Sequence, residues 1–211
     1  MSPEQTARLT YLKRLVALRI DEHTEGDVPN APGGDIDIEL ANAARSVIKR
    51  SSRTGVLQLG KQAQNPVLVD SGRDSTIIPL PSDYLRFLQI DGKGYKQPVT
   101  TLLQADSRTY QEQIYTMKRA TVANPLGFMI PYHTQNGNRA IELYPGVTQL
   151  APQGLMYVPE IPAYDLPVEF EDALVWRATL AMLVILRSPS ATSVLGLSES
   201  AIAEIGSEAA V

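Results

Sequence analysis

Asp165-Leu166-Pro167-Val168-Glu169-Phe170-Glu171-Asp172-Ala173-Leu174-Val175-Trp176-Arg177-Ala178-Thr179-Leu180-Ala181-Met182-Leu183-Val184-Ile185-Leu186-Arg187 is the stretch on which the fold turns. Pro167 suits the first turn of a helix and Ser188-Pro189 stops one, so the sequence predicts a helix over about 167–187. Its apolar residues (Phe170, Leu174, Val175, Trp176, Leu180, Met182, Leu183, Ile185 and Leu186) fall on nearly every side. Such a helix is central to its bundle or covered by another chain. It is no membrane span: residues 173–186 are broken by Arg177 and Thr179, and a span needs about 20 apolar residues. Arg177 in this setting needs a carboxylate or carbonyl partner, within the fold or across a subunit contact. Trp176 and Arg177 are therefore the candidate subunit-contact residues.

Towards the N-terminus the chain is again helical. Ser2 and Pro3 with Gln5 form a helix start: serine caps, proline suits the first helical position, and Gln5 completes a capping box. Leu9, Leu12, Leu15, Val16 and Ile20 then recur at helical spacing, which predicts a helix over about 3–21. Residues 23–34 hold Gly26, Pro29, Pro32, Gly33 and Gly34 and form a loop. A second helix is expected over about 36–51, with Asp35 near its cap. Ile36, Leu40, Ala43, Val47 and Ile48 mark one face, and Lys49, Arg50 and Arg53 favour its C-terminal end.

Between the two helical ends the pattern changes. From Gly55 to Pro162 the apolar residues come in short runs between turn residues. Strands are expected at 56–59, 66–70, 76–80, 87–90, 95–102, 128–134, 139–144 and 154–158. Pro79 makes 76–80 an edge strand, and Asp91-Gly92-Lys93-Gly94 turns 87–90 back into 95–102. Gln135-Asn136-Gly137-Asn138 closes the clearest hairpin, because Asn-Gly tolerates the positive φ of a tight turn. Tyr110, Ile114 and Met117 predict a short helix within 105–117. The last segment, 190–206, is a loop plus a short helix, or a tail that orders on a partner. The fold class is α+β: an antiparallel helical bundle of about four helices, built from 1–53 and 165–211, with an inserted antiparallel β domain over 54–164.

The chemistry in the sequence is sparse. Its 211 residues contain no cysteine, which excludes disulfides, thiolate metal sites and cysteine catalysis. Histidine chemistry would have to use His23, beside Asp21, Glu22 and Glu25 at a solvated helix end, or His133, an exposed strand residue near the hairpin tip. Gly92-Lys93-Gly94-Tyr95-Lys96 lacks the spacing of a phosphate loop, Gly33-Gly34-Asp35 leads to a helix cap, and no nucleophile elbow or H-E-x-x-H pair occurs. Glu169, Glu171 and Asp172 sit in the first turns of a helix, where carboxylates meet the positive end of the macrodipole. No catalytic, cofactor-binding or metal-binding residue is assigned, and no cofactor is implied.

Net charge is −4, from 19 basic and 23 acidic residues, whereas a sequence-independent DNA binder normally presents a basic surface. Residues 165–211 carry seven acids against Arg177 and Arg187, so the C-terminal part is acidic and apolar together. Tyr84, Tyr95, Tyr110, Tyr115, Tyr132, Tyr144, Tyr157 and Tyr164, interleaved with Arg86, Lys93, Lys96, Lys118 and Arg119, are either ordinary strand residues or a stacking surface for nucleic acid. Met1-Ser2-Pro3-Glu4-Gln5 lacks the basic start and apolar core of a secretory signal. The apolar excess of 170–186 and 194–205 is more often core than interface, yet two such segments in one small chain are also compatible with association with other subunits.

Three stretches carry a family likeness. The first is Ile78-Pro79-Leu80-Pro81-Ser82-Asp83-Tyr84-Leu85-Arg86. The second is Ile141-Glu142-Leu143-Tyr144-Pro145-Gly146, followed by Leu155-Met156-Tyr157-Val158 and Pro162. The third is the 165–183 run quoted above. In this order they resemble the head-to-tail adaptor proteins of tailed bacteriophages, also called connector, tail-tubular or packaged-DNA-stabilisation proteins, over most of the chain up to about residue 187. The resemblance implies a non-enzymatic virion protein of the neck, assembled in the host bacterial cytoplasm. It implies a homo-oligomeric ring of about twelve copies below the portal protein, with tail or neck proteins as further partners. Packaged double-stranded DNA would pass through the lumen without sequence-specific binding. In that family the C-terminal segment reaches up to the portal, which makes Val194, Leu195, Leu197, Ile202 and Ile205 the candidate portal-binding residues. The alternatives are another neck or tail-completion protein that binds the tail-tube end, or a small hydrolase using Glu142, Glu169 or His133.

Overall fold

The computed structural model describes residues 1–24, 33–115, 119–134 and 137–206. Residues 25–32 of the expected loop, Met117, Lys118, the turn residues Gln135 and Asn136, and 207–211 lie outside the described residues. In chain order the elements are α1 (Pro3–Thr24), α2 (Gly33–Arg50), α3 (Arg53–Val56), β1 (Lys61–Gln62), β2 (Val69–Asp70), β3 (Thr76–Pro79), β4 (Tyr84–Gly92), β5 (Leu102–Gln104), α4 (Arg108–Ile114), β6 (Leu126–Thr134), β7 (Gly137–Tyr144), β8 (Leu150–Pro159), α5 (Glu171–Ile185) and α6 (Ala191–Glu204). The fold is mixed α+β. Residues 1–58 and 160–211 form one compact unit, and 59–159 form a second.

In the first unit α5 packs against α1, α2 and α6. The capping box at Ser2 forms as expected: Gln5 N donates to Ser2 Oγ at 3.2 Å and Ser2 N donates to Gln5 Oε1 at 2.7 Å. Leu12, Val16 and Ile20 of α1 and Leu40, Val47 and Ile48 of α2 face the core. Ala173, Leu174, Val175, Ala178, Leu180, Met182 and Leu183 bury most of the circumference of α5. Each large apolar side chain removed from water this way contributes about 1.5–3 kcal/mol. Successive contacts (Gln5 with Asp165, Tyr11 with Glu171, Arg19 and His23 with Trp176) show that α1 and α5 advance in the same direction, so the helices are not all antiparallel neighbours.

Two helical expectations and one strand expectation are corrected. The helix expected from 167 begins at Glu171: Pro162 and Pro167 each open a single 3-10 turn, Ala163–Asp165 and Val168–Phe170. A proline disfavours helical backbone at the residue before it, so the chain cannot run into α5 in one sweep. Asp35 lies inside the first turn of α2, which starts at Gly33. The run 56–59 is no strand. Ser52 Oγ accepts from Gly55 N at 3.0 Å and starts a helical turn there, which an apolar run this short cannot distinguish from β structure. The last segment is the helix α6.

The second unit holds two sheets, ordered β1-β8-β4 and β2-β3-β7-β6-β5. The β6–β7 hairpin forms with Met129 opposite Ile141, which sets Ile141 and Leu143 in one core layer and Phe128, Ile130 and Ala140 in another. Two strand expectations fail. β3 is not an edge, because it lies between β2 and β7. Pro79 is tolerated because β2 pairs only with Thr76 and Ile77, so the missing N–H faces no strand. Residues 95–102 do not return along β4. Only Val99 bridges Ile90, Lys96 N turns to the Val122 carbonyl, and Pro98 offers no donor. The chain instead enters the five-stranded sheet as β5, parallel to β6. α4 makes the crossover that a parallel pair requires, and Ser107 caps it at Tyr110 N. No helix among the described residues is long and apolar enough to cross a membrane.

Candidate functional site

Two open surfaces lie on the helical unit. At the end of α6 the chain is pinned onto α3. Ser52 Oγ, which accepts from Gly55 N, donates to the Ile205 carbonyl at 3.1 Å. A Cβ on Gly55 would stand 2.7 Å from that carbonyl oxygen, so glycine is what lets the two backbones meet. Gly206 continues with φ +84°, the left-handed region. Beside this junction runs a groove of 570 Å³ lined by Leu57, Val168, Glu169, Asp172, Ala201 and Ile205, among others. Val168 is 70% exposed. Glu169 and Asp172 are exposed and carry no ion pair or hydrogen bond among the described residues. Glu171, one position on, accepts from the Tyr11 hydroxyl at 3.1 Å, and that bond raises the tyrosine's pKa.

The two candidate subunit-contact residues find partners inside the chain. Trp176 is half-buried under α1, with the Arg19 guanidinium 4.6 Å over its ring and His23 edge-on at 5.9 Å. His23 thus packs on an aromatic face rather than standing free at a solvated helix end. Arg177 is half-buried, its Nη1 3.7 Å from Glu199 Oε1, and the other oxygen of Glu199 takes Arg50 Nη2 at 2.6 Å. The partner that Arg177 requires is supplied by α6, and Glu199 joins α2, α5 and α6.

The five candidate portal-binding residues divide. Val194, Ile202 and Ile205 are buried in the chain's own core, because α6 is a helix with an inward face. Leu195 and Leu197 stay exposed, at 44% and 43%, as do Val184 and Ile185 at the C-terminal end of α5. The α5–α6 corner therefore presents large apolar side chains to solvent.

The β unit spends its polar groups internally. Glu142, 4% exposed, accepts from Ser75 Oγ at 2.6 Å, Tyr144 OH at 2.9 Å and Tyr110 OH at 2.8 Å, and Ser75 also meets Ser71 Oγ. Burial, and then the bond to Glu142, pushes Tyr144 up to about 12 and Tyr110 higher still. Burial raises Tyr84 to about 12. Asp83 accepts from Lys61 and Tyr157. Burial alone would raise its pKa, but these bonds prevail and lower it. Tyr95 donates to the Pro145 carbonyl, while Tyr115 is exposed. Most of the tyrosines thus serve the sheets and their packing. His133 is exposed and bonds Asn138 at 3.2 Å, and Lys93 of the glycine-lysine turn bonds Gln149. Within the β unit Glu142 and His133 are not gathered: Glu142 is enclosed by hydroxyls and His133 sits at the hairpin tip. No cluster of acidic, histidine or cysteine residues that could hold a metal ion occurs among the described residues.

The sequence reading missed the groove and the outer face of α1. A second stripe on α1, Pro3, Ala7, Tyr11 and Leu18, runs at helical spacing outside the buried one and was legible in principle. The groove was not, because it joins residues more than a hundred positions apart. Compared with models of protein families and with curated proteins, the chain matches none.

Proposed function

We propose that the protein is a non-enzymatic neck component of a tailed-phage virion: a ring of about twelve copies below the portal, joining head to tail and extending the DNA channel. On this reading the helical unit is a bundle drawn from both chain ends, the β unit is an insertion within it, and the ring helps retain packaged DNA. The observation that carries the reading is the α5–α6 corner, where Val184, Ile185, Leu195 and Leu197 lie exposed. A monomer gains nothing from four large apolar side chains in water, whereas a protein contact buries them. The ordered motifs at 78–86, 141–158 and 165–183 supply the identity of the partner. Charge is consistent with it: the helical unit carries 16 acidic against ten basic residues, and a DNA conduit should not grip phosphates tightly. Co-sedimentation with assembled portal tests this. The chain should pellet with portal, and Leu195→Glu with Leu197→Glu should abolish pelleting while leaving the fold intact. Pelleting with tail-tube protein alone would favour a tail-completion role instead.

A further inference from the structure

Two surfaces of the helical unit differ in kind and fit each other. The first is the outer face of α1, where Pro3, Thr6, Ala7, Thr10, Tyr11 and Arg14 are exposed in one continuous patch. Thr6 and Thr10 turn their hydroxyls back onto the carbonyls of Ser2 and Thr6, at 3.0 and 2.9 Å, so these donors are spent within the helix. The patch is therefore small and apolar, with one cation, Arg14, that has no carboxylate partner among the described residues. The second surface is the groove beside the α3–α6 junction, with Leu57, Val168 and Ala201 in its lining and the unpaired carboxylates of Glu169 and Asp172 on it.

We infer that α1 of one copy lies in the groove of the next, with Arg14 against Glu169 and Asp172. This rests on the ring reading above and names its subunit contact. A small-residue helix face carrying the cation Arg14 and an apolar-lined groove carrying two carboxylates are complementary at that point, as helix-in-groove contacts are. Neither surface complements itself, so a two-fold dimer would waste both. A head-to-tail contact uses each once per copy and repeats until the ring closes. The inner face of α1 is already committed to its own core through Leu12, Val16 and Ile20, so the outer face is free for a neighbour.

The absence of cysteine permits a clean test on the full-length chain. Ala7→Cys and Ala201→Cys are placed together, the chain is mixed with portal, and a bifunctional maleimide is added. A ladder of linked copies is expected, and Ala7→Cys alone should give none. Arg14→Glu should cut the ladder by about tenfold or more, and adding Glu169→Arg and Asp172→Arg to it should restore the ladder. Thermal melting checks that these exposed substitutions leave the fold unchanged. Oligomers without a ladder, or a ladder indifferent to Arg14→Glu, would overturn the contact and leave the ring standing. A cysteine-free chain that stays monomeric with portal present would overturn the ring and the contact with it.

Discussion

The two units differ in how some of their buried hydroxyl groups are satisfied, although Ser51 of the helical unit does donate to the Val47 carbonyl at 2.7 Å. In the helical unit Thr179 of α5 and Ser198 of α6 are fully buried, and neither hydroxyl has a hydrogen-bond partner among the described residues. In the β unit Ser75, Tyr110 and Tyr144 all donate to the single carboxylate of Glu142. The difference teaches where each unit keeps its specificity. Helix packing tolerates a small polar atom at a modest cost, because apolar packing and the Arg177–Glu199 pair already hold α5 against α6. The β unit must fix a crossover helix, a turn and a hairpin in one arrangement. A shared acceptor does this, since Ser75 precedes β3, Tyr110 lies on α4 and Glu142 and Tyr144 lie on β7.

The largest effect should come from removing the shared acceptor. Glu142→Ala leaves three hydroxyls without it, at about 1–3 kcal/mol for each group that stays unsatisfied, and should lower chemical stability by about 3–5 kcal/mol in urea unfolding. A loss below about 1 kcal/mol would mean that the cluster does not organise the unit. In the helical unit the comparable break is steric. Gly55→Ala forces a methyl against the Ile205 backbone and should cost about 1–3 kcal/mol, read as faster amide exchange over 201–206.

The sharpest contrast is one of sign. Thr179→Val removes an unpaired hydroxyl at nearly constant volume and should stabilise by about 1 kcal/mol, whereas Ser75→Ala should destabilise by about 1.5–3 kcal/mol. Equal signs in thermal melts of the two variants would erase the distinction. Alkali should separate the units as well. A tyrosine whose pKa is higher when folded holds its proton more firmly in the native state, so its contribution is full below pH 10 and is lost as pH rises towards 12. Tyr84 and Tyr144 both lie in the β unit, so amide exchange there should accelerate over that range before exchange in α1, α2 and α5 does. The smallest effect belongs to the surface pair Arg45–Glu160, both partners about half exposed. Arg45→Ala should change stability by less than about 1 kcal/mol.

How much could be read in advance follows the same division. α1, α2 and α5 were legible because apolar side chains recur at helical spacing, and the capping box at Ser2 and Gln5 fixed one boundary to the residue. The β6–β7 hairpin was legible from alternation on both sides of Asn136-Gly137. β5 was not, since a three-residue parallel strand has no periodicity of its own and depends on β6 for its place. Pro79 looked like an edge signal because sequence does not reveal that β2 stops two residues short of it. The role of Glu142 was hidden because its partners come from positions 75, 110 and 144. For the candidate site, the five residues named for portal binding could not be sorted by exposure in advance: Leu195 and Leu197 are exposed and Val194, Ile202 and Ile205 are buried, because the segment was left open between a loop with a short helix and a tail, and only a formed α6 gives it an inward face.

The central claim is that this chain assembles as a ring on a portal. Native mass spectrometry over a concentration series, with and without an assembled phage portal protein, tests that claim most directly. The account predicts a portal-bound species carrying about twelve copies, with Leu195→Glu and Leu197→Glu removing it. A chain that remains monomeric at every concentration and ignores the portal would contradict it.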